Sequence, residues 1–201
     1  MKSRPSATPT PSELDEIRRK RLAEDIIARS GLPRRHLKLR QSDAKGDAWA
    51  ASCTALTKSL LGGMTGILSG DRGRGKTQMA VCASREFAAK GKTVRYIRAM
   101  DLFRDLREGM NNNCESDRIK HFSRPHLLII DDAHERGDTE YETRSMVNLV
   151  DHRYGDEKAT LLITNQSRAA FAKSVGPSIV SRIVESGVFI ECDWKSYRGS
   201  A

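Results

Sequence analysis

Gly70-Asp71-Arg72-Gly73-Arg74-Gly75-Lys76-Thr77 follows a short apolar run, Gly66–Ser69, and opens a helical period that continues to Lys90. These eight residues fit G-x-x-x-x-G-K-[ST], in the strand-turn-helix context that gives the motif its meaning. Three glycines let the chain curl so that successive N–H groups point inward, and the helix that follows presents its positive end to the same point. An oxyanion of phosphate type is the ligand such a turn suits. Lys76 is placed to reach β- and γ-phosphates, and Thr77 to put a hydroxyl on Mg²⁺. The stretch reads as a nucleoside triphosphate site for ATP and Mg²⁺, with Gly70, Asp71, Arg72, Gly73, Arg74, Gly75, Lys76, Thr77 and Gln78 as its binding segment.

Outward from this loop, short apolar runs alternate with helical periods, the signature of βαβ units on a mostly parallel sheet. Strands are expected at Gly66–Ser69, Thr93–Arg98, Leu127–Asp131, Thr160–Thr164 and Val188–Glu191. Helices are expected near Lys76–Lys90, Asp101–Glu108, Thr139–Tyr154, Arg168–Val175 and Ser178–Glu185, with a weaker pattern over Ala48–Leu61. The polar stretch GMNNNCE, Gly109–Glu115, reads as a turn and a loop.

The apolar run His126-Leu127-Leu128-Ile129-Ile130 ends in two carboxylates, Asp131 and Asp132, 55 positions after Lys76. This is a Walker B pattern. The C-terminal ends of parallel strands face the ligand crevice, so Asp131 is placed to hold Mg²⁺ through its water shell. Asp132 is the candidate base that orients an attacking water. Read without the phosphate loop, both would be turn residues at the end of a buried strand.

Before the core lies a basic extension. Residues 1–40 hold 11 Lys and Arg against five Asp and Glu, within a chain of 201 residues and net charge +9. That balance favours a polyanionic partner. Residues 1–11 read as a disordered leader, 12–45 as a basic helical extension and 46–201 as one ATPase core. Ser12 with Asp15 resembles a capping box, and Leu14, Ile17, Leu22, Ile26 and Ile27 recur at helical spacing until Gly31-Leu32-Pro33 ends the helix. The four cysteines, Cys53, Cys82, Cys114 and Cys192, form no C-x-x-C pair and read as free thiols. With no apolar run near the roughly 18 residues of a membrane span, a cytoplasmic protein without membrane contact is expected.

Taken together, these residues resemble the DnaC-like loaders of the bacterial replicative helicase, AAA+ ATPases with phage-encoded members and IstB-like relatives. Besides the ATP motifs, Gly31-Leu32-Pro33-Arg34-Arg35 is similar to the G-[IL]-P-x-R segment leading into their core. Thr139-Glu140-Tyr141-Glu142 and Val150-Asp151-His152-Arg153 resemble the helix after Walker B. The resemblance implies a P-loop NTPase with a RecA-like AAA+ core, a five-stranded parallel sheet of order 5-1-4-3-2, and a helical lid truncated or absent. It also implies catalytic roles. Lys76 and Asp132 are joined by Asn165 as the sensor-1 residue after the fourth strand, and by Arg182, within Gly176–Ile183, as an arginine finger reaching a neighbouring subunit's ATP. On spacing alone, Arg182 reads rather as a solvated helix residue, and it is the resemblance that makes it a finger. Arg198, in the Trp194-Lys195-Ser196-Tyr197-Arg198 tail, takes a sensor-2-like position beside the nucleotide.

By the same resemblance the partners are a replicative DNA helicase, single-stranded DNA, and further copies of the chain in a spiral or ring. Tyr141 is the position for base stacking, with packing on the core as the other reading. The helix Ser12–Ser30, with Arg18, Arg19, Lys20 and Arg21, is the candidate helicase contact. Two departures stand out: Asp132 replaces the family's usual Glu, which implies slow hydrolysis, and the N-terminal extension is short. Two further functions fit the same residues, an IstB-like transposition helper and an ATP-gated binding module that does not hydrolyse.

Overall fold

The computed structural model describes residues 10–38, 46–135, 137, 139–176, 179–181, 185 and 187–197. Five strands form one parallel sheet: β1 (Thr65–Ser69), β2 (Val94–Arg98), β3 (Leu127–Asp131), β4 (Ala159–Ile163) and β5 (Val188–Glu191). They lie in the order β2-β3-β4-β1-β5, the expected 5-1-4-3-2 read from its other edge. Every residue of β1, β3 and β4 is buried, whereas β2 and β5 at the edges are largely half-buried. This division follows from the sequence, since a strand covered by helices on both faces needs an unbroken apolar run.

Alternation along the strands sends neighbouring residues to opposite faces. Leu68, Leu127, Ile129, Leu161 and Ile163 pack with Leu56 and Leu60 of α3 (Asp47–Leu61) and Met79 and Phe87 of α4 (Lys76–Ala89). Ile67, Leu128, Ile130 and Leu162 pack on the other side. Their partners there come from α5 (Ala99–Asn111), α6 (Glu115–Ser123), α7 (Glu140–Gly155) and α8 (Arg168–Val175). The result is three layers, helix, sheet and helix, with β1 and its following turn near the centre.

Two expectations need correction. The stretch Gly109–Glu115 holds the expected turn, at Asn112–Asn113, but no loop: α5 continues through Asn111, and Cys114 is already the N-cap of α6. Helix α6 escapes notice because only Ile119 and Phe122 of its nine residues are buried, too few to set up a visible apolar period. The capping box of α1 (Pro11–Arg29) is Thr10 with Glu13, not Ser12 with Asp15. Glu13 accepts from the Thr10 N–H at 2.6 Å while its own N–H donates to the Thr10 hydroxyl at 3.3 Å, and Pro11 takes the first helical position, where a missing N–H costs nothing. The expected helix Ser178–Glu185 falls partly outside the described residues and is helical at 179–181 and 185.

Only the end of α1 belongs to the core. Ile26 and Ile27 pack against it, as do Leu32 and Leu37 of the segment around α2 (Arg34–Leu37), whereas Leu14, Ile17 and Leu22 stay exposed. Gly31, at φ +81°, follows the helix as the left-handed cap expected there.

Arg153 of α7 is fully buried, with no carboxylate in ion-pair contact among the described residues, and burial pushes its pKa down to about 9, opposed by the charge of Asp156. Carbonyls hold it instead. Its guanidinium donates to Phe122, Ser123 and Pro125 at 2.9–3.2 Å, to Ala159 at 2.5 Å and to the Thr160 hydroxyl at 2.9 Å. One side chain thereby closes the C-terminal end of α6 and ties it to the start of β4. Arg153→Leu strands several of these buried acceptors, at about 1–3 kcal/mol each. A urea titration is expected to show a loss of about 3 kcal/mol or more, and a loss under about 1 kcal/mol would deny Arg153 this role.

Candidate nucleotide site

The turn after β1 has the backbone its glycines allow. Gly70, Gly73 and Gly75 all have positive φ, at +125°, +85° and +79°. At two of them neighbours leave no space for a side chain: a Cβ on Gly70 would stand 2.5 Å from the Cys192 carbonyl oxygen, and one on Gly75 would stand 2.6 Å from Trp49 Nε1. The indole of Trp194 donates to the Arg74 carbonyl at 2.8 Å, and that of Trp49 to the Gly75 carbonyl at 3.4 Å. The Tyr197 N–H donates to the Gly73 carbonyl at 2.9 Å. Arg74 turns away from the turn's interior, onto the Cys192 carbonyl at 3.0 Å and the Asp71 carboxylate at 2.5 Å. The loop is therefore clamped between α3 and the segment that follows β5.

Lys76 is buried at the start of α4, its ammonium held by the carbonyls of Gly70 at 2.5 Å and Asp71 at 2.8 Å. Burial lowers its pKa, opposed by the nearby Cys192, Asp131, Asp132 and Asp71. Gln78 follows on α4, half-buried. Thr77 donates its hydroxyl to Asp131 Oδ2 at 3.1 Å, so the two residues expected at the metal meet across 54 positions. A hydroxyl and a carboxylate this close are the hard oxygen donors that Mg²⁺ takes in company with phosphate oxygens and water, and the donor set fits that ion.

Asp131 accepts two more hydrogen bonds, from the Tyr96 hydroxyl at 2.7 Å and from the Asp132 N–H at 2.9 Å. Asp132 leaves the strand with φ +50°, a left-handed conformation that Asp tolerates better than most residues. Its pKa is raised, first by burial and then by the charges of Asp131 and Glu135. Beyond it, His134 and Glu135 approach so that candidate ligand atoms of all three lie within 4.8 Å of one another. Arg72 of the phosphate loop meets Glu135 at 3.2 Å.

Asn165 lies beside this group, its N–H facing His134 Nδ1 at 3.5 Å, because the turn after β3 is tied to β4 by the Ala133 N–H on the Ile163 carbonyl. The end of β1 is tied there too, by the Ser69 hydroxyl on the Gln166 carbonyl at 2.7 Å. Lys76, Thr77, Asp131, Asp132 and Asn165 thus gather at one end of the sheet. Tyr141 is elsewhere, half-buried on the second core cluster with its hydroxyl on Glu115 at 3.0 Å. Arg182 and Arg198 lie outside the described residues. The residues that sequence reading passed over are Trp49, Tyr96, His134 and Glu135, together with the clamping role of Trp194 and Tyr197. Contacts spanning 26 to 120 positions bring the two indoles to the loop, and nothing local signals them.

Comparison with known proteins bears on the family and the fold. The family model described as IstB-like ATP binding protein matches residues 64–200. The replicative helicase loader DnaC of Escherichia coli K12 is 26% identical over 135 residues, 66% of this chain and 55% of that protein. The IS232 insertion-sequence protein of Bacillus thuringiensis, described as ATP-binding, is 25% identical over 137 residues, 66% of this chain and 54% of its own length. The chain thus spans about half the length of the curated relatives it matches. Among solved structures, a DnaC helicase loader superposes with a TM-score of 0.68 at 20% identity, covering 79% of this chain and 99% of that one. AMPPCP-bound DnaA from Aquifex aeolicus superposes at 0.68 and 19% identity, covering 82% and 52%. These likenesses establish the P-loop AAA+ fold, and the family match establishes more: this chain belongs to the IstB-like ATP-binding proteins.

Proposed function

We propose that the chain is an ATP-hydrolysing helicase loader, acting on a replicative DNA helicase and single-stranded DNA as a spiral or ring of copies. The observation that carries this reading is the junction of phosphate loop and Walker B strand, Thr77 on Asp131 at 3.1 Å, in a chain whose relatives include replicative helicase loaders. Lys76 holds the β- and γ-phosphates, and Thr77 and Asp131 hold Mg²⁺. When bound, that ion neutralises charge developing on the phosphoryl group. Asp132 orients the attacking water and takes its proton, Asn165 hydrogen-bonds that water or the γ-phosphate, Arg182 enters from a neighbouring copy and Arg198 lies beside the nucleotide.

The exposed part of α1 carries the helicase contact in this reading, with Leu14, Ile17 and Leu22 uncovered beside Arg18, Arg19, Lys20 and Arg21. DNA meets the α7 side. Tyr141 serves there chiefly by packing, as its half-burial and its bond to Glu115 favour, and the exposed Arg144, three residues on, lies on the same helical face. A second reading, a transposition helper acting with duplex DNA, draws on the family match and the insertion-sequence relative.

Both tryptophans of the chain hold phosphate-loop carbonyls, so MgATP is expected to change the intrinsic fluorescence. Lys76→Ala should abolish that change. Arg182→Ala should keep it while lowering turnover by about 10³-fold, the scale of a lost arginine finger; unchanged turnover would remove Arg182 from the site.

Truncation to residue 23 removes the exposed stripe and leaves Ile26, Ile27 and Leu32 in the core. It is expected to end co-purification with the helicase and keep MgATP binding. Single strands should stimulate the ATPase more than duplex does, and the opposite preference would favour the transposition helper.

Asp132 acts as a base only when ionised. With its pKa raised, turnover should fall on the acid side at a pH above the usual carboxylate range. Asp132→Glu, whose carboxylate reaches one methylene further, should raise turnover; a fall in the single-turnover rate would mean that Asp132 is not the base, and no measurable hydrolysis in either protein would favour the ATP-gated binding module.

A further inference from the structure

Tyr96 lies on β2, outside both ATP motifs, and joins two parts of the molecule. Its hydroxyl donates to Asp131 Oδ2 at 2.7 Å, on the oxygen that also accepts from Thr77 at 3.1 Å, while Asp131 Oδ1 accepts the Asp132 N–H at 2.9 Å. Three donors from three elements thus set the rotation of one carboxylate. Packing alone would need only the ring, which lies against the first core cluster.

The backbone of the same residue faces the other way. β2 is an edge strand, and the Tyr96 N–H donates outward to the Ser30 carbonyl at 2.7 Å. Gly31 presses on the Tyr96 carbonyl so closely that a Cβ there would stand 2.9 Å from its oxygen, and its φ of +81° resists a side chain as well. The Ser30 hydroxyl fixes this turn by donating to the Ile27 carbonyl at 2.7 Å and accepting the Leu32 N–H at 3.2 Å. The end of α1 is thereby bolted to the peptide that carries the Tyr96 ring.

We infer that Tyr96 is a positioning residue for the Asp131 carboxylate, and that through Ser30 and Gly31 it couples the N-terminal helix to the metal half of the nucleotide site. The inference rests on the reading of Thr77 and Asp131 as the Mg²⁺ residues. A residue that orients a metal-binding carboxylate changes metal affinity when its hydrogen bond is lost. A mechanical link through one strand makes the two ends of that strand interdependent, which a double-mutant cycle detects.

The measurement is the Mg²⁺ concentration that half-saturates binding of a non-hydrolysable ATP analogue, followed by calorimetry in the full chain. Tyr96→Phe keeps the ring and removes the hydroxyl, and is expected to raise that concentration about tenfold. Binding of the analogue without Mg²⁺ is expected to stay as in the unaltered protein. Gly31→Ala should shift the midpoint in the same direction by less, and add under about twofold in the Tyr96→Phe background. A Tyr96→Phe midpoint within about twofold of the unaltered protein overturns the positioning role. A lowered midpoint overturns it too, since Tyr96 would then compete with the ion, and fully additive effects overturn the coupling. Should the unaltered protein bind the analogue without regard to Mg²⁺, the metal reading fails together with this one, an outcome distinct from the others.

Discussion

The phosphate loop can hold its shape only because two of its residues lack a Cβ where neighbouring atoms stand 2.5 and 2.6 Å from the place one would occupy. The clamp that creates this crowding draws on distant parts of the chain. The Cys192 carbonyl reaches Gly70 because β5 pairs with β1 on one side, with Ser69 opposite Glu191. Trp49 reaches Gly75 because α3 lies across the sheet on Leu56 and Leu60. A loop of this conformation has much backbone entropy to lose, and clamping it beforehand lowers the ordering cost that would otherwise fall on ligand binding. Much of the fold on that side of the sheet can be understood as the support for one turn.

Charge in the site follows the same logic of enclosure. Lys76 and Asp132 are both drawn toward their neutral forms by burial, the direction expected wherever ionisable groups leave water. Lys76 is compensated by two carbonyls and by Cys192, Asp131, Asp132 and Asp71 around it. Asp132 has less help, because Asp131 and Glu135 oppose its ionisation and His134 and Arg72 only partly offset them. Arg72 thus answers the carboxylates from the loop side, through Glu135 at 3.2 Å.

How much of this was legible in the sequence depended on the distance over which each signal acts. The order of the strands came only with the family resemblance; the strands themselves, the Walker B carboxylates and the phosphate loop were readable because apolar runs and glycine spacing are local, and β3 and β5 begin and end where their residues suggest. Helix α6 was not, since its polar residues and the Asn111–Asn113 run ahead of it imitate a loop. The cap of α1 was misplaced by two residues because Thr10 and Ser12 are both good N-caps, and only the Glu13 carboxylate, reaching back to the Thr10 N–H, decides between them. Gly31 was recognised as a helix stop, yet its closer constraint is the Tyr96 carbonyl. The clamp on the phosphate loop was invisible because its contacts are made by folding and leave no spacing to read.

The N-terminal helix shows how one element serves two masters. Its last turns are committed to the core through Ile26 and Ile27, and the turn after it satisfies the outward N–H of Tyr96 on an edge strand, a position that would otherwise invite pairing with another chain. Its first turns are uncommitted, with Leu14, Ile17 and Leu22 exposed beside a run of basic side chains. An apolar stripe on a helix with no buried residue adds little to the stability of the single chain. Helix propensity, a full capping box and i,i+4 pairs such as Lys20 with Glu16 keep that half helical, although an exposed, solvent-screened pair contributes little. A helix built this way is ordered at its anchored end and held ready at its free one. Under the coupling inferred above, a partner that takes the free end would act on the strand that carries Tyr96 through the Ser30–Tyr96 hydrogen bond.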